Sequence, residues 1–224
     1  MSLKKNISVL IALLFIFLCC GIALEAQTRD SGNTTDEKVR SFLKHKTGRW
    51  YDMNVPESDG RILYDLILKN NYKSALEIGT STGHSGIWMA WALSKTGGRL
   101  ITIEIDESRH RKALENFREA GLSEYVDTRL ADAHQLVKEL PGPFDFVFCD
   151  ADKEWYKNYF IDIEPSLRVG ACFTAHNVTE RNRGYGGYGG QAVFLEYVRS
   201  LKNYKTTINS SGQGISISYK IADR

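Results

Sequence analysis

Short apolar runs alternate with helical segments along most of this chain, and this alternation restricts the possible fold more than any other feature. The five runs are SALEIG (74–79), RLITIEID (99–106), YVDTRLAD (125–132), FDFVFCD (144–150) and VGACFTAH (169–176). Runs that are apolar on both faces and separated by helices indicate a parallel sheet with helices on each side. A chain of 224 residues with a hydrophobic fraction of 42% suits one such domain.

The helical segments carry ordinary start and stop signals. Pro56 stands near the start of MNVPESDGRILYDLILKN, and GHSGIWMAWALSK follows the first apolar run. Asp106 precedes ESRHRKALENFREAG as a candidate N-cap, and Gly121 follows the last helical residue. A further helix is predicted over residues 37–46, just before the first of these segments.

The end of the chain has a different pattern. YKTTIN and ISISYKI alternate apolar with polar residues and flank the turn sequence SSGQG, so they predict an antiparallel hairpin. The five runs and this hairpin together predict an α/β fold with a seven-stranded, mostly parallel sheet. A terminal hairpin is less typical of the classical dinucleotide-binding fold, in which the later strands stay parallel.

The N-terminus has the composition of a targeting segment. Lys4 and Lys5 precede the apolar run ISVLIALLFIFLCCGIAL, and a polar stretch follows it. We therefore predict a signal peptide or membrane anchor over residues 1–26, a linker over 27–36 and one folded domain over 37–224. The protein is expected to be exported or membrane-anchored, and cleavage after Ala26 is preferred over a retained anchor.

The charge pattern argues against nucleic acid as a partner. The formal net charge is +2, and acidic and basic residues are interspersed along the chain. A protein that binds nucleic acid through bulk charge would need a stronger basic surface.

A glycine loop follows the first predicted strand, in ALEIGTSTGHSG. Its spacing is acid-x-Gly-x-x-x-Gly, with Glu77 before Gly79 and Gly83, and it does not fit the dinucleotide pattern Gly-x-Gly-x-x-Gly. A carboxylate at the strand end would repel a pyrophosphate and attract an ammonium group. Ser85, at the start of the next helix, could donate to a ligand carboxylate. The loop therefore predicts a site for an amino-acid moiety.

Two more strand ends carry acids. Glu104 closes the second run, about 20 residues after the loop, where a carboxylate can hold both ribose hydroxyls. Asp132, Ala133 and His134 close the third run, at the distance expected for adenine. Together with the glycine loop, these strand ends predict a ligand that is a nucleoside with an amino-acid tail. S-adenosylmethionine (SAM) is such a ligand.

The chain resembles the class I SAM-dependent O-methyltransferases of the catechol and caffeoyl-CoA type. The resemblance rests on ALEIGTSTGHS, ITIEID, LADAH, FDFVFCDADKEWY and the Asn of AHNV, in this order. It implies a Rossmann-like methyltransferase sheet, a small hydroxylated acceptor and a homodimer. It also implies that Val55 belongs to a segment over the cofactor and that Asp150 contributes to the cofactor site.

The ends of the fourth and fifth runs predict a second cluster of polar residues. Asp150 and the pair His176–Asn177 should lie close together, because neighbouring parallel strands end at the same edge. The resemblance implies that these three residues bind a divalent metal. The family's usual pair is Asp-Asn, and His176 in place of the first Asp favours Mn²⁺, Fe²⁺, Co²⁺ or Zn²⁺ over Mg²⁺. Alternatively, no metal binds, and His176 acts as a base or forms a hydrogen bond with Asp150.

The remaining roles concern catalysis and the acceptor. Lys153 matches the general base of the family, and Trp50 and Tyr51 could form the wall of an aromatic acceptor site. The glycine- and tyrosine-rich segment 181–191 could act as a lid. Two alternative functions stay open: a SAM-binding protein without methyl transfer, and a nicotinamide-dependent oxidoreductase.

Overall fold

The structure is a computed structural model that describes residues 34–50, 52–180 and 189–223. The predicted signal or anchor, most of the linker, Tyr51 and most of the predicted lid lie outside these residues. No helix within the described ranges is both long enough and apolar enough to cross a membrane.

One sheet of seven strands forms the centre of the described part of the chain. Its strands are β1 (Ser74–Ile78), β2 (Arg99–Glu104), β3 (Val126–Leu130), β4 (Phe144–Cys149), β5 (Leu167–His176), β6 (Tyr204–Asn209) and β7 (Ile215–Lys220). Their order in the sheet is β3-β2-β1-β4-β5-β7-β6, and β7 runs antiparallel to both of its neighbours. This confirms the predicted mixed sheet with its C-terminal hairpin.

The helices follow the predicted alternation. They are α1 (34–46), α2 (Glu57–Asn70), α3 (His84–Thr96), α4 (Glu107–Glu119), α5 (Ala133–Leu136), α6 (Tyr156–Ile163) and α7 (Gly190–Ser200). The chain is already helical at residue 34, three residues before the predicted start of α1, so the last residues of the predicted linker belong to this helix. Pro56 is the N-cap of α2, and the Asp106 side chain accepts a hydrogen bond from the Arg109 N–H at the start of α4.

Two apolar cores cover the two faces of the sheet. One core joins α1, α2, α3 and α4 to one face, and the other joins α5, α6 and α7 to the opposite face. Adjacent residues of β4 show the alternation: Phe146 and Phe148 enter the first core, whereas Val147 and Cys149 enter the second. Burial on both faces explains why the parallel strands are continuously apolar.

The topology brings five strand ends to one edge. Strands β1 to β5 are parallel, so their carboxyl ends and the loops that follow them meet along a single crevice. In open α/β sheets, ligands bind at this edge.

Candidate functional site

A cavity of about 590 Å³ runs along the carboxyl ends of β1 to β5. Its volume lies within the range of roughly 300–1,000 Å³ that is usual for small-molecule sites. The predicted site residues that line it are Gly79, Glu104, Ala133, Asp150, Lys153, His176 and Asn177. Residues that the sequence did not assign also line it, among them Ser81, Ile105, Arg109, Tyr159 and Gln213.

Glu104 is held at the crevice wall by backbone donors. Its Oε2 accepts the N–H of Ser81 at 2.7 Å, and its Oε1 accepts the N–H groups of Ile105 and Asp106 at 3.1 and 3.0 Å. These three bonds join the glycine loop after β1 to the end of β2. The carboxylate is therefore fixed at a strand end, in the position expected for a ribose ligand.

Glu77 does not present a negative charge to the crevice, and this part of the prediction is wrong. The side chain is fully buried on the α3 side of the sheet, where Ser85 Oγ donates to its Oε1 at 2.5 Å and Thr102 Oγ1 to its Oε2 at 2.6 Å. Burial raises the pKa of Glu77 to about 8 against the opposing effect of these two hydrogen bonds. The carboxyl therefore keeps its proton to a higher pH than an exposed glutamate does.

Ser85 also differs from its predicted role, because its hydroxyl points to Glu77 and not to the crevice. The period of two along β1 explains both results. Leu76 and Ile78 face the core on the α6 side, so Glu77 between them must face α3. Ser85, in the first turn of α3, is the nearest donor.

Glycine is required at these two positions of the loop for different structural reasons. A Cβ on Gly79 would lie 2.7 Å from the carbonyl oxygen of Asp150, so the loop can pass the end of β4 only without a side chain. Gly83 has φ +95° and a Cβ there would touch Phe117 and Ala113 of α4 at 3.3 and 3.4 Å. Gly79 lines the cavity, whereas Gly83 serves the packing of α3 against α4.

A short segment, residues 52–55, closes one side of the crevice. Asp52 forms a two-point ion pair with Arg109 of α4, with its Oδ2 2.6 Å from Arg109 Nε. The Asn54 side chain donates to Thr82 Oγ1 at 2.9 Å, and His84 Nδ1 donates to the Val55 carbonyl at 2.8 Å. Val55 itself is buried beside a second cavity and does not line the main one.

His84 is a positioning residue that the sequence did not reveal. Its Nε2 accepts the Trp88 indole N–H at 3.2 Å, and the Trp50 ring stacks on it at 4.4 Å between centroids. Burial lowers the pKa of His84, so the ring is neutral and donates from Nδ1 to the Val55 carbonyl. Trp50 lines the second cavity, of about 320 Å³, with Val55 and Gln213.

The end of β3 forms the far wall of the crevice. Asp132 caps α5 by accepting the His134 N–H at 2.9 Å, and this places Ala133 at the wall. The His134 ring stacks on Tyr159 at 5.5 Å between centroids and lies 4.4 Å from the Trp155 ring. Flat, partly apolar walls of this kind suit a planar ring such as adenine.

At the other end of the crevice, His176 joins two carboxylates. Its Nε2 lies 2.8 Å from Asp59 Oδ2, and its Nδ1 lies 3.1 Å from Asp150 Oδ2. Burial alone would lower the pKa of His176, but the hydrogen bonds and charges of Asp150 and Asp59 outweigh it and raise the pKa above the ordinary value. The pair of contacts confirms that Asp150 and His176 meet, as the strand order predicts.

Lys153 lies beside the same carboxylate. Its Nζ donates to Asp150 Oδ1 and, at 2.8 Å, to Tyr156 Oη. Tyr156 in turn donates to the His176 backbone carbonyl at 3.1 Å. The ammonium group of Lys153 is thus held at the crevice wall by a carboxylate and a phenol.

The predicted metal ligands, as they are arranged here, do not fit a divalent cation. Both ring nitrogens of His176 lie within hydrogen-bond distance of a carboxylate oxygen, Nε2 of Asp59 and Nδ1 of Asp150, so neither is free to bind a metal. The two oxygens of Asp150 are engaged by His176 and Lys153, and Asn177 Nδ2 donates to Gln213 Oε1 at 3.4 Å. Within the described ranges, no group of three or more His, Cys, Asp or Glu side chains is arranged to hold a metal ion.

Asp59 is a further residue of this corner that the sequence did not reveal. It lies in the first turn of α2, where an acidic residue ordinarily serves the helix dipole, so nothing local distinguishes it. The turn before β7 wraps it closely: Gln213 N–H donates to Oδ2 at 3.0 Å, and a Cβ on Gly212 would overlap Oδ1.

Comparison with known proteins agrees with this geometry. The family model described as O-methyltransferase matches residues 28–181, well over half of the chain. The chain belongs to this family. The nicotinamide-dependent oxidoreductase that the sequence left open is therefore not supported.

Individual members of the O-methyltransferase family share both sequence and fold with this chain. A catechol O-methyltransferase of Niastella koreensis is 42% identical over 130 residues, which make up 56% of this chain and 58% of that protein. The solved O-methyltransferase of Bacillus cereus, in complex with SAH, is 25% identical with a TM-score of 0.71, over 82% of this chain and 90% of that one. TomG of Streptomyces achromogenes, an O-methyltransferase involved in tomaymycin synthesis and solved with SAM, is 27% identical with a TM-score of 0.70, over 83% of this chain and 90% of that one. The chain spans about three fifths of the length of the curated relatives it matches.

Proposed function

We propose that this protein is a SAM-dependent O-methyltransferase that transfers a methyl group to a hydroxyl of a small, catechol-like aromatic acceptor. The observation that carries the proposal is the crevice itself. In a chain of the O-methyltransferase family, it has the fixed carboxylate of Glu104 at one end and the Asp150–Lys153 ion pair at the other. The catechol-like acceptor is supported by the similarity to the Niastella koreensis protein.

The residues of the crevice suit the parts of SAM. We assign Glu104 to the ribose hydroxyls, because its carboxylate lines the crevice at the end of β2. Ala133 lies at the end suited to adenine, while Gly79 and Asp150 line the wall between these parts and the reacting end. Glu77, Gly83 and Ser85 support the loop from inside the fold and are not assigned a direct contact.

The proposed reaction is a direct displacement. When bound, SAM supplies a methyl group on a sulfonium, and transfer to an acceptor oxygen breaks the carbon–sulfur bond, leaves the bonding electron pair on sulfur and releases the hydroxyl proton. The Lys153 ammonium first releases a proton to solvent, and the resulting amine then accepts the hydroxyl proton at Nζ. Asp150 and Tyr156 hold Nζ at the wall where the acceptor enters.

No step of the proposed reaction uses the divalent metal that was expected from the sequence. Asp150, His176 and Asn177 lie together as predicted, but their donor atoms are engaged with neighbouring side chains. Binding and orientation of the acceptor are therefore assigned to the chain's own groups.

Calorimetry and turnover test the proposal separately. We expect SAM and SAH to bind the full-length chain while NAD does not, and we expect a catechol panel to yield a mono-methylated product by mass spectrometry. Failure to bind SAM and SAH would remove the whole assignment. The alternative of a SAM-binding protein without methyl transfer is favoured by the engaged state of His176, and it predicts SAH binding with no turnover, with or without added divalent cations.

We also propose that residues 1–26 direct export or membrane anchoring, with cleavage after Ala26 preferred. The support is the basic and apolar pattern of this segment. Fractionation of a C-terminally tagged full-length chain, with N-terminal sequencing of the mature protein, tests it. A full-length protein found wholly in the cytosol would contradict it. The homodimer stays a prediction that light scattering can check.

A further inference from the structure

A buried carboxylate from a distant helix reaches the corner at the ends of β4 and β5. Asp59 is fully buried, and its Oδ2 binds His176 Nε2 at 2.8 Å although the two residues are 117 positions apart. Its Oδ1 is buried and has no hydrogen-bond partner among the described residues. Burial of a carboxyl group costs free energy unless it is hydrogen-bonded, and His176 and the Gln213 N–H are its partners.

His176 is held from both sides. Asp59 engages Nε2 and Asp150 engages Nδ1, so the ring is fixed in one plane and one orientation. Because both ring nitrogens are engaged, the ring cannot bind a metal ion without losing one of these contacts. Asp150 is likewise shared between His176 and Lys153.

The polar groups of this corner are already paired with one another. The carboxylates of Asp59 and Asp150 lie on the two sides of the His176 ring, and Asp150 also accepts a hydrogen bond from Lys153 Nζ. A divalent cation bound to Asp150 would have to displace His176 or Lys153 from this carboxylate. Such a displacement would break an existing hydrogen bond of a mostly buried group, which costs free energy.

We propose that the Asp59–His176–Asp150 chain takes the place of a divalent cation at this corner, so that the protein works without a bound metal. This inference rests on the proposed methyl transfer for its functional meaning. His176 fills the corner near the acceptor where the cation would lie, and Asp59 is a positioning residue that holds the ring from behind. Asn177 and Gln213 at the wall, together with Lys153, then orient the acceptor.

Metal binding by the full-length chain gives a readout that does not depend on turnover. In an Mn²⁺ titration followed by electron paramagnetic resonance, with SAH present, we expect the wild-type spectrum to remain that of free Mn²⁺. Turnover of the catechol panel should stay within about twofold after treatment with EDTA. Binding of Mn²⁺ by the wild-type chain together with loss of turnover in EDTA would overturn the inference.

The variant His176→Asp provides the matched comparison. It replaces the imidazole ring by a carboxylate and restores the Asp-Asn pair that is usual in the family, so three carboxylates would face one another. We expect it to bind Mn²⁺ at least tenfold more tightly than the wild type. If it does not bind Mn²⁺ either, His176 is not what excludes the metal and the inference fails. If the wild type binds SAH but methylates nothing under any condition, the proposed function fails. The Mn²⁺ titration still decides whether the chain binds a divalent cation at this corner.

The role of Asp59 is tested by Asp59→Asn, with Asp65→Asn as the control. Asp65 lies on the same helix and is exposed. We expect Asp59→Asn to lower kcat at least tenfold while the affinity for SAH changes less than twofold, because Asp59 does not line the cofactor part of the crevice. A merely structural role would lower SAH affinity and thermal stability together. If Asp59→Asn keeps the kcat of the wild type, the proposed role of Asp59 in positioning His176 is wrong.

Discussion

The two ends of the crevice are built in different ways. At the β2 end, Glu104 is held by three backbone N–H groups from residues close to it in space and, for two of them, in sequence. At the β4–β5 end, the side chains of Asp150, Lys153 and His176 pair with one another and with the distant Asp59. The first end is set by the backbone of the sheet. The second depends on side-chain charges that a single substitution can change.

This difference suggests that the two ends of the crevice have different functions. A carboxylate held by backbone groups keeps its position whatever the neighbouring side chains are, which suits a cofactor common to a whole family. A corner made of paired side chains can be altered residue by residue, which suits differences in acceptor and in metal use. Four predictions test this comparison.

The largest effect is expected from Lys153→Met. Removal of the proposed proton acceptor should lower kcat by about 10²- to 10⁴-fold, the range usual for general bases. The affinity for SAH should stay within about threefold. Lys202→Met, at an exposed position, is the control. Equal losses of SAH affinity and kcat would show that Lys153 belongs to the cofactor end instead.

The next effect is a change in how the free energy of unfolding depends on pH, and it is expected from Glu77→Gln. Because folding raises its pKa to about 8 from an ordinary value of 4.5, the folded state binds a proton that the unfolded state has released between these pH values. The contribution of the protonated Glu77 to the free energy of unfolding is fully present below about pH 4.5 and is lost as the pH rises toward 8. Glu77→Gln keeps a neutral side chain, so the variant should gain stability relative to the wild type as pH rises through this window.

Urea denaturation of the cofactor-free chain at several pH values between 5 and 8 measures this change. Its size is on the order of a few kcal/mol, since one pKa unit corresponds to about 1.4 kcal/mol. Glu139→Gln, which removes an exposed glutamate, should show no such trend. Parallel curves for wild type and Glu77→Gln would mean that Glu77 is ionised in the fold.

A smaller effect is expected at the cofactor end from Glu104→Gln. An amide NH₂ would face at least one of the backbone N–H donors that now meet a carboxylate oxygen, which costs about 1–3 kcal/mol for an unpaired buried donor. SAH affinity measured by calorimetry should fall about 10- to 100-fold, whereas kcat at saturating SAM should fall much less. A large fall in kcat alone would contradict the proposed division between the two ends.

The smallest effect is expected from the ion pair that fastens segment 52–55. The Asp52 and Arg109 side chains are each about one third exposed, at 35% and 31%, and such surface pairs contribute about 0–1 kcal/mol. Arg109→Ala should therefore weaken SAH binding by up to about fivefold. A double-mutant cycle with Asp52→Ala isolates the pair. A coupling energy of zero would mean that Asn54 and His84 hold the segment without it.

The strand ends show how far the sequence could predict the site. Glu104, Asp150, His176 and Asn177 follow apolar runs, and a parallel sheet brings such ends to one edge, so their convergence was predictable. Glu77 stands inside a strand that is buried on both faces. Its burial pattern does not distinguish the two faces, so the sequence could not tell whether the carboxyl meets the crevice or the core.

The sequence by itself determined the α/β class, the seven strands and the acids at their ends, because these depend on local periodicity and on a general rule for parallel sheets. Helices α6 and α7 were not delimited in advance, although helices on both faces were expected. Only the tertiary structure decided that Asp59 reaches His176 and that Ser85 and Thr102 bind Glu77. Such contacts join residues far apart along the chain, and their distances depend on how helices pack onto the sheet, which no local pattern records.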